Sequence, residues 1–173
     1  MSALADGLQP LSVLIAEDGA ADRLLLAGIV RKQGHSVITA ENGAQAVALF
    51  AELRPQLVLL DALMPVMDGF DAARRIKAMA GEALVPIIFL TSLSEEQALV
   101  RCLEAGGDDF LAKPYRPVIL AAKIKAMDRL RRLHATVMEQ RDEIARHHGH
   151  LLNEQRVAKA VFDQVAHSGC LSA

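Results

Sequence analysis

The 173-residue chain contains no tryptophan and one tyrosine, and aromatic residues make up only 3% of it. Proteins that bind single-stranded nucleic acid stack the bases on aromatic side chains, and this composition offers no such platform. Hydrophobic residues nevertheless reach 52%, which is enough for one ordinary domain with an aliphatic core. The two cysteines, Cys102 and Cys170, form neither a CxxC pair nor a cysteine and histidine spacing for a metal. The sequence therefore predicts neither a disulfide framework nor a thiolate metal centre.

Long apolar runs and a strong charge bias are also missing. Met1–Pro10 has no basic region followed by apolar residues, and apolar stretches such as Leu84–Leu90 are far too short to cross a bilayer. We therefore expect a cytoplasmic protein without a membrane partner. The net charge is −2, with 10 Lys and Arg against 15 Asp and Glu in residues 1–116, and 9 against 6 in residues 117–173. Neither bias predicts a basic binding face, so no direct nucleic-acid partner is expected.

Short apolar runs alternate with amphipathic stretches five times along the chain. This alternation is typical of βα units, which build a parallel sheet with helices on both faces. The predicted fold class is therefore α/β, with a doubly wound five-stranded parallel sheet. The predicted strands are Ser12–Ala16, Ser36–Thr39, Leu57–Leu60, Ile87–Leu90 and Asp109–Ala112, and the predicted helices between them are Ala21–Gln33, Ala44–Leu53, Phe70–Met79 and Glu95–Ala105, with Ser94 as the N-cap of the last.

Polar residues follow four of the five predicted strands. They are Glu17 and Asp18 after the first, Asp61 after the third, Thr91 after the fourth and Lys113 after the fifth. Because ligands of an open parallel sheet bind beyond the carboxyl ends of its strands, these side chains are expected to converge at one edge. Neighbouring carboxylates repel one another unless a cation lies between them, and ligand sets made only of oxygen favour Mg²⁺. Surrounded by a metal, a hydroxyl and an ammonium, Asp61 is predicted to accept a phosphoryl group as a nucleophile.

The motifs around these residues resemble the receiver domain of bacterial two-component response regulators, the family of the chemotaxis receiver, over about residues 10–130. The resemblance rests on Glu17-Asp18, Asp61-Ala-Leu-Met-Pro-Val-Met-Asp-Gly69, Pro86-Ile-Ile-Phe-Leu-Thr-Ser92 and Gly106-Gly-Asp-Asp-Phe-Leu-Ala-Lys-Pro114. It implies a flavodoxin-like sheet of order 2-1-3-4-5, Mg²⁺ as the cofactor, and a histidine kinase or a phosphotransfer protein as the partner.

Carried over to this sequence, the family pattern also implies a role for each matching residue. The phosphoacceptor is Asp61, assisted by Thr91 and Lys113; the metal ligands are Asp18, Asp61, the Leu63 backbone carbonyl and, through water, Glu17; the switch pair is Thr91 and Phe110; and the Lys113–Pro114 peptide bond is cis.

Four positions depart from the commoner family pattern or lack a polar side chain near the site. Phe110 stands where tyrosine is more frequent, and Gly107 replaces a frequent alanine. Leu63 and Leu93, two residues after Asp61 and Thr91, are apolar where polar side chains would position an attacking water. We therefore expect slow self-dephosphorylation.

A long C-terminal helix is predicted to begin at Pro117, a residue suited to the first turn of a helix. Apolar residues recur every seven positions along it, at Leu130, Val137, Ile144, Leu151, Ala158 and Val165. This spacing indicates one seam of a coiled coil, and the second seam is mixed, with Leu133 and Val161 apolar but Gln140, His147 and Glu154 polar. A parallel homodimer of limited stability is the favoured interpretation, and an amphipathic helix that packs on its own domain or on another one is the alternative. Only His147 and His150 share a face, and His148 points elsewhere, so this geometry disfavours a metal site and a solvated, pH-sensitive stretch is the favoured interpretation.

The predicted domains are an N-terminal tail at 1–10, a receiver domain at 11–130, a coiled-coil linker at 131–166 and a tail at 167–173. We expect the chain to stop before an effector domain, because its linker resembles the connector of regulators that fuse a receiver to a SpoIIE-like serine/threonine phosphatase. The resembling segments are Glu139-Gln-Arg-Asp-Glu-Ile-Ala145 and Asn153-Glu-Gln-Arg-Val-Ala-Lys-Ala-Val-Phe162. Such phosphatases act on anti-sigma-factor antagonists.

Two other functions stay open. The chain could be a complete adaptor that binds a partner through its C-terminal helix. A small flavin or nucleotide binder is disfavoured, because Glu17-Asp18-Gly19 places two carboxylates where a bound phosphate needs backbone amides.

Overall fold

A computed structural model describes residues 9–168 of the chain. Five strands alternate with five helices, as the alternating apolar runs predict. In chain order they are β1 Ser12–Ala16, α1 Ala20–Lys32, β2 Ser36–Ala40, α2 Gly43–Leu53, β3 Leu57–Asp61, α3 Gly69–Ala80, β4 Ile87–Thr91, α4 Glu95–Glu104, β5 Asp109–Ala112 and α5 Pro117–Ser168.

Three strands run one residue further than the sequence predicts, so Asp61 and Thr91 are the last residues of β3 and β4. Asp61 pairs with Leu90 of β4, and Thr91 pairs with Ala112 of β5. For β3 and β4 the predicted ends are the last apolar residues, Leu60 and Leu90, whereas the backbone continues to pair beyond them. Both polar side chains therefore lie on regular strand backbone, which fixes their direction.

All five strands are parallel, and their order is β2-β1-β3-β4-β5. This confirms the doubly wound, flavodoxin-like sheet. The order reverses between β1 and β3, and at such a switch point the helices after the two strands leave on opposite faces. A crevice therefore opens beyond the carboxyl ends of β1 and β3, where Glu17 and Asp61 are found.

The two faces of the sheet bury separate aliphatic clusters. On one face α2, α3 and α4 contribute side chains such as Phe50, Ile76 and Cys102, and on the other α1 and the start of α5 contribute Leu26, Val30 and Leu120. Strands β3 and β4 are buried along their whole length. Such strands cannot turn polar side chains outward except at their ends.

Helix starts in this fold are set by local sequence. The Asn42 and Asp68 side chains accept hydrogen bonds from the backbone N–H groups of Gln45 and Asp71, and so cap α2 and α3. Ser94 occupies the N-cap position of α4, as predicted, but its side chain makes no capping hydrogen bond. The first residue of α3, Gly69, leaves no room for a side chain, since an added Cβ would lie about 2.9 Å from the Asp61 backbone carbon.

The chain divides into two compact units, one that ends at Arg132 and one that begins at Leu133. The first contains the sheet and its helices, and the second consists of the rest of α5. Within residues 9–168, no helix carries an apolar segment long enough to cross a membrane. Residues 1–8 and 169–173, which make up most of the two predicted tails, lie outside the described residues.

Candidate functional site

The five side chains predicted at the strand ends lie at one edge of the sheet. Glu17 follows β1, whose last residue pairs with Leu60, so Glu17 is level with Asp61 at the end of β3. Lys113 follows β5, and its backbone N–H donates to the Thr91 carbonyl at 2.8 Å. The parallel register thus brings together residues that are up to 96 positions apart.

Lys113 links two of the carboxylates. Its Nζ donates to Glu17 Oε2 at 2.8 Å and to Asp61 Oδ2 at 2.9 Å. The lysine side chain is 24% exposed, against 2% for Glu17 and 10% for Asp61. Burial alone would lower the pKa of Lys113, but the hydrogen bonds that it donates to both carboxylates outweigh burial and raise this pKa well above its usual value. Lys113 is therefore fully charged at neutral pH.

Glu17, Asp18 and Asp61 form an acidic cluster. One oxygen from each carboxylate lies within 4.8 Å of the others, and no other described residues form such a group of three potential metal ligands. Burial raises the pKa of Glu17, and the nearby Asp61 charge raises it further, although the hydrogen bonds from Lys113 and from the Gly19 backbone oppose this. Burial first, and the Asp61 charge second, thus oppose ionisation of Glu17.

The loop after β3 fixes the orientation of the Asp61 carboxylate. Its Oδ1 accepts a hydrogen bond from the Leu63 backbone N–H at 3.1 Å, so both carboxylate oxygens have partners. Further along the loop, Val66 adopts a left-handed conformation with φ of 69°, which is strained for a β-branched residue, and its side chain is exposed. Leu63 is also exposed, so the loop presents apolar side chains to solvent beside the carboxylate.

Thr91 is fully buried, and its hydroxyl oxygen accepts a hydrogen bond from the Leu93 backbone N–H at 3.0 Å. Because that oxygen acts as an acceptor, the hydroxyl proton is available for donation. Phe110 is half-buried and packs against the cluster that contains α2, α3 and α4. The Lys113–Pro114 peptide bond is cis.

The C-terminal residues singled out by the sequence lie elsewhere. Along the second unit the seam positions are exposed in the single chain, as are all the described residues from Glu139 onward. His150 Nε2 lies 3.1 Å from Glu154 Oε1, but His147, His148 and His150 do not belong to any described group of three metal ligands. The structure therefore gives no support to a histidine metal site.

Arg23 is the residue at this site that the sequence did not single out. Its guanidinium donates to the backbone carbonyls of Glu17 and Asp18, the two acidic residues of the β1–α1 loop. An arginine five residues after an acidic pair on an amphipathic helix gives no sequence signal that separates it from a solvated surface residue. Only the folded backbone shows that it reaches back to the loop.

Comparison with known proteins agrees with this geometry. The family model of the response regulator receiver domain matches residues 13–125. The DNA-binding response regulator MtrA of Mycolicibacterium paratuberculosis is 38% identical over 120 residues, which cover 69% of this chain and 51% of MtrA. The phosphate regulon transcriptional regulatory protein PhoB of Pseudomonas aeruginosa is 37% identical over 116 residues, which cover 67% of this chain and 51% of PhoB. The chain thus spans about half the length of these two relatives.

A similar domain also occurs among solved structures. The signal receiver domain of a signal transduction histidine kinase from Syntrophus aciditrophicus is 37% identical, with a TM-score of 0.63 over 68% of this chain and 89% of that one. The matched region, the sheet order and the convergence of Asp61, Lys113 and the acidic pair lead to one conclusion. The chain belongs to the response regulator receiver domain family and is a two-component response regulator receiver.

Proposed function

We propose that Asp61 accepts a phosphoryl group from a histidine kinase or a phosphotransfer protein, and that this reaction is the input of the switch. The observation that supports this most is the arrangement around the Asp61 carboxylate, which has an ammonium on one side and two further carboxylates within 4.8 Å. Carboxylates this close together repel one another and cost stability unless positive charge compensates them, and two of these three are buried. The reaction takes place at the sheet edge where ligands of this architecture bind.

The residues present fit a bound Mg²⁺. Three carboxylates and one ammonium leave two uncompensated negative charges, and every side-chain donor of the cluster is an oxygen. Asp18, Asp61 and the Leu63 carbonyl are the proposed direct ligands. Glu17 has both oxygens engaged, by Lys113 and by the Gly19 backbone, which favours an indirect role through water. When bound, Mg²⁺ neutralises charge on the phosphoryl oxygens.

Each residue of the chain has a distinct task in the proposed reaction. Asp61 attacks the phosphorus of the donor phosphohistidine, so that a phosphorus–oxygen bond forms while the phosphorus–nitrogen bond breaks and the donor imidazole leaves. Lys113 places a fixed positive charge beside the transferred group. Thr91 donates its hydroxyl proton to a phosphoryl oxygen, and Phe110 then turns inward against the core to complete the switch.

The decisive test is covalent modification of the purified chain. With Mg²⁺ and acetyl phosphate we expect one added phosphoryl group by mass spectrometry. It should be lost in Asp61→Asn but kept in Asp71→Asn, which alters an exposed carboxylate that pairs with Arg74. Beryllofluoride should change the oligomeric state of the wild type but not of Asp61→Asn. An unmodified wild type, or equal modification of Asp61→Asn, contradicts the proposal.

The proposed output is a parallel homodimer formed through the linker at 131–166. Leu130, Val137, Ile144, Leu151 and Val165 recur every seven residues and are all exposed in the single chain, so a second copy would remove them from water. Only Ala158 is small in this seam, and the polar second seam limits the stability of the dimer. Because the seam has limited stability, phosphorylation can change its register or the association of the two helices.

Leu151 and Leu152 offer a matched test of this dimer. They are adjacent leucines of the same helix, 45% and 53% exposed, but only Leu151 falls in the seam. Sedimentation of the whole chain should show that Leu151→Glu dissociates the dimer and that Leu152→Glu does not. Equal effects of the two substitutions would favour the alternative in which the helix packs on another surface.

The proposed effector lies downstream of the linker. The linker resemblance supports a SpoIIE-like serine/threonine phosphatase that controls an anti-sigma-factor antagonist, and a cytoplasmic location goes with it. The runner-up is an adaptor that acts by protein binding through its C-terminal helix. A coding sequence that continues past Ala173 into a phosphatase domain would support the first, and a stop codon there would support the second.

Direct nucleic-acid binding by this chain is not proposed, although relatives such as MtrA are described as DNA-binding. The match covers only 51% of MtrA, and the charge of this chain does not form a basic face. Retardation of duplex DNA by the purified chain at physiological salt would contradict this expectation.

A further inference from the structure

Arg23, in the first turn and a half of α1, is a charged residue whose side chain is only 17% exposed. Arginine is seldom buried to this extent unless its donors are paired. Nη1 donates to the Glu17 carbonyl at 2.8 Å and approaches the Asp18 carbonyl at 3.3 Å, while Nη2 donates to Glu41 Oε1 at 3.2 Å. One guanidinium therefore joins both peptide carbonyls of the acidic pair to the segment after β2.

The two acidic residues depend on this link to different degrees. The Glu17 backbone is also held by its N–H, which donates to the Ala40 carbonyl at 3.1 Å, and its carboxylate is held by Lys113. Asp18 is exposed, and among the described residues its carboxylate has no hydrogen-bond or ion-pair partner. The direction of the Asp18 side chain is therefore set by its backbone, which Arg23 holds.

Repulsion makes that backbone position costly to maintain. Without a tether, the β1–α1 loop can relieve the repulsion among the three carboxylates by turning Asp18 away from Asp61 into water. We propose that Arg23 is a positioning residue that holds the Glu17 and Asp18 peptide units so that their carboxylates converge on Asp61, and thereby sets the affinity of the cluster for a divalent cation. This inference rests on the proposed Mg²⁺ binding.

Because Arg23 is positively charged, the direction in which its removal changes the Mg²⁺ affinity is informative. If Arg23 acted on the site only through its charge, its removal would leave a more negative cluster and Mg²⁺ would bind more tightly. If it positions the acidic pair, its removal weakens Mg²⁺ binding, because the Asp18 carboxylate is no longer held in place. Loss of a residue that orients metal ligands typically lowers affinity about 10- to 100-fold. We expect the lower end, on the order of tenfold, because the Glu17 N–H bond to Ala40 remains.

The experiment is a calorimetric Mg²⁺ titration of the unphosphorylated whole chain, so that its readout does not depend on phosphorylation. Arg23→Gln is expected to bind Mg²⁺ on the order of tenfold more weakly than the wild type. Arg23→Lys keeps the charge but has one compact donor group, which cannot reach both carbonyls and Glu41, so it is also expected to bind more weakly. Arg31→Gln removes the same charge from the exposed last turn of α1 and is expected to keep the wild-type affinity.

Two further measurements separate positioning from a general loss of structure. Excess Mg²⁺ should restore the phosphorylation rate of Arg23→Gln with acetyl phosphate, because the nucleophile and Lys113 are intact. Glu41→Gln tests the ion pair between Arg23 and Glu41, whose glutamate side chain is 68% exposed, and should leave Mg²⁺ affinity unchanged. If Arg23→Gln does not fold, Arg23→Lys carries the comparison.

The Mg²⁺ titrations distinguish failure of the proposed function from failure of the positioning role of Arg23. A wild type that binds no Mg²⁺ refutes the proposed function itself. A wild type that binds Mg²⁺ together with Arg23 variants that bind it equally or more tightly refutes only the positioning role. A weakening in Arg31→Gln or Glu41→Gln as large as that in Arg23→Gln also overturns it, since the effect would then not come from the link to the carbonyls.

Discussion

Replacing Lys113 by methionine should destabilise the metal-free protein far more than an ordinary surface lysine substitution would. The change removes the ammonium that contacts both Glu17 and Asp61 and leaves two poorly exposed carboxylates close together. Removing one partner of a fully buried ion pair costs about 3–5 kcal/mol. Because the lysine side chain is 24% exposed, solvent screens part of this charge, and we expect a loss of about 2–3 kcal/mol.

Lys123→Met provides the comparison. Lys123 Nζ lies 2.7 Å from Asp109 Oδ2, and both side chains are about one-quarter exposed, so solvent reaches both partners of this ion pair. Pairs with such access to solvent typically contribute about 0–1 kcal/mol. The difference between the two variants therefore measures the interaction of Lys113 with the acidic cluster rather than the loss of a lysine.

Mg²⁺ should offset part of the loss in Lys113→Met. Mg²⁺ at about ten times its Kd stabilises the wild type by about 1.4 kcal/mol. The variant has no ammonium opposing the cation, so tighter binding by about tenfold would raise that stabilisation to about 2.7 kcal/mol. Urea unfolding with and without Mg²⁺ measures both quantities. Equal losses in Lys113→Met and Lys123→Met, or equal gains from Mg²⁺ in wild type and Lys113→Met, would refute this account of the site.

Three other outcomes are expected. Gly107→Ala should lower the free energy of unfolding by about 1–3 kcal/mol, because the added Cβ would lie 2.7 Å from Phe89 Cδ2. Phe89→Leu should reduce that loss. If the shifts in the urea midpoint of the two single variants simply add in the double variant, the steric cause is contradicted. Burial raises the pKa of Glu17 above its usual value of 4.5, so the stability that this group provides is present at lower pH and is lost as the pH rises through the raised value. Mg²⁺ affinity should increase over the same pH interval, as Glu17 ionises, and then level off. A Mg²⁺ affinity that does not depend on pH would be inconsistent with this prediction. The apolar Leu63 and Leu93 predict an aspartyl phosphate that persists far longer than seconds in Mg²⁺, as measured by its decay in mass spectra.

The strand-end residues could be predicted from sequence because a parallel sheet turns local chain order into proximity. Each of Glu17, Asp61, Thr91 and Lys113 ends an apolar run, and strands with a common direction deliver their ends to one edge. No knowledge of side-chain packing is needed for that step. The strand boundaries were one residue short at Asp61 and Thr91, since hydrophobicity ends before the backbone pairing does.

Contacts that depend on packing could not be predicted in this way. Gly107 looked like a neutral replacement for a frequent alanine, but in this chain the Phe89 ring occupies the space that a methyl group would need. The two residues are 18 positions apart in sequence, with Phe89 in β4 and Gly107 in the loop between α4 and β5, so only the folded core relates them. The role of Arg23 could not be predicted for the same reason, because its partners at the site are the backbone carbonyls of Glu17 and Asp18, which carry no sequence signal.

The three carboxylates are unequal in a way that assigns them different tasks. Glu17 is the most buried, and its two oxygens are engaged by Lys113 and the Gly19 N–H, so its main effect is to hold the lysine in place. Asp61 has one hydrogen bond on each oxygen, from the Leu63 N–H and from Lys113, which orients the carboxylate and leaves further lone pairs for a nucleophilic attack. Asp18 is exposed, and its carboxylate has no partner among the described residues. A cation can therefore bind this carboxylate without breaking an existing hydrogen bond or ion pair. Cation binding at this edge should therefore depend most on the one carboxylate that only the backbone holds, which is why Arg23 matters to it.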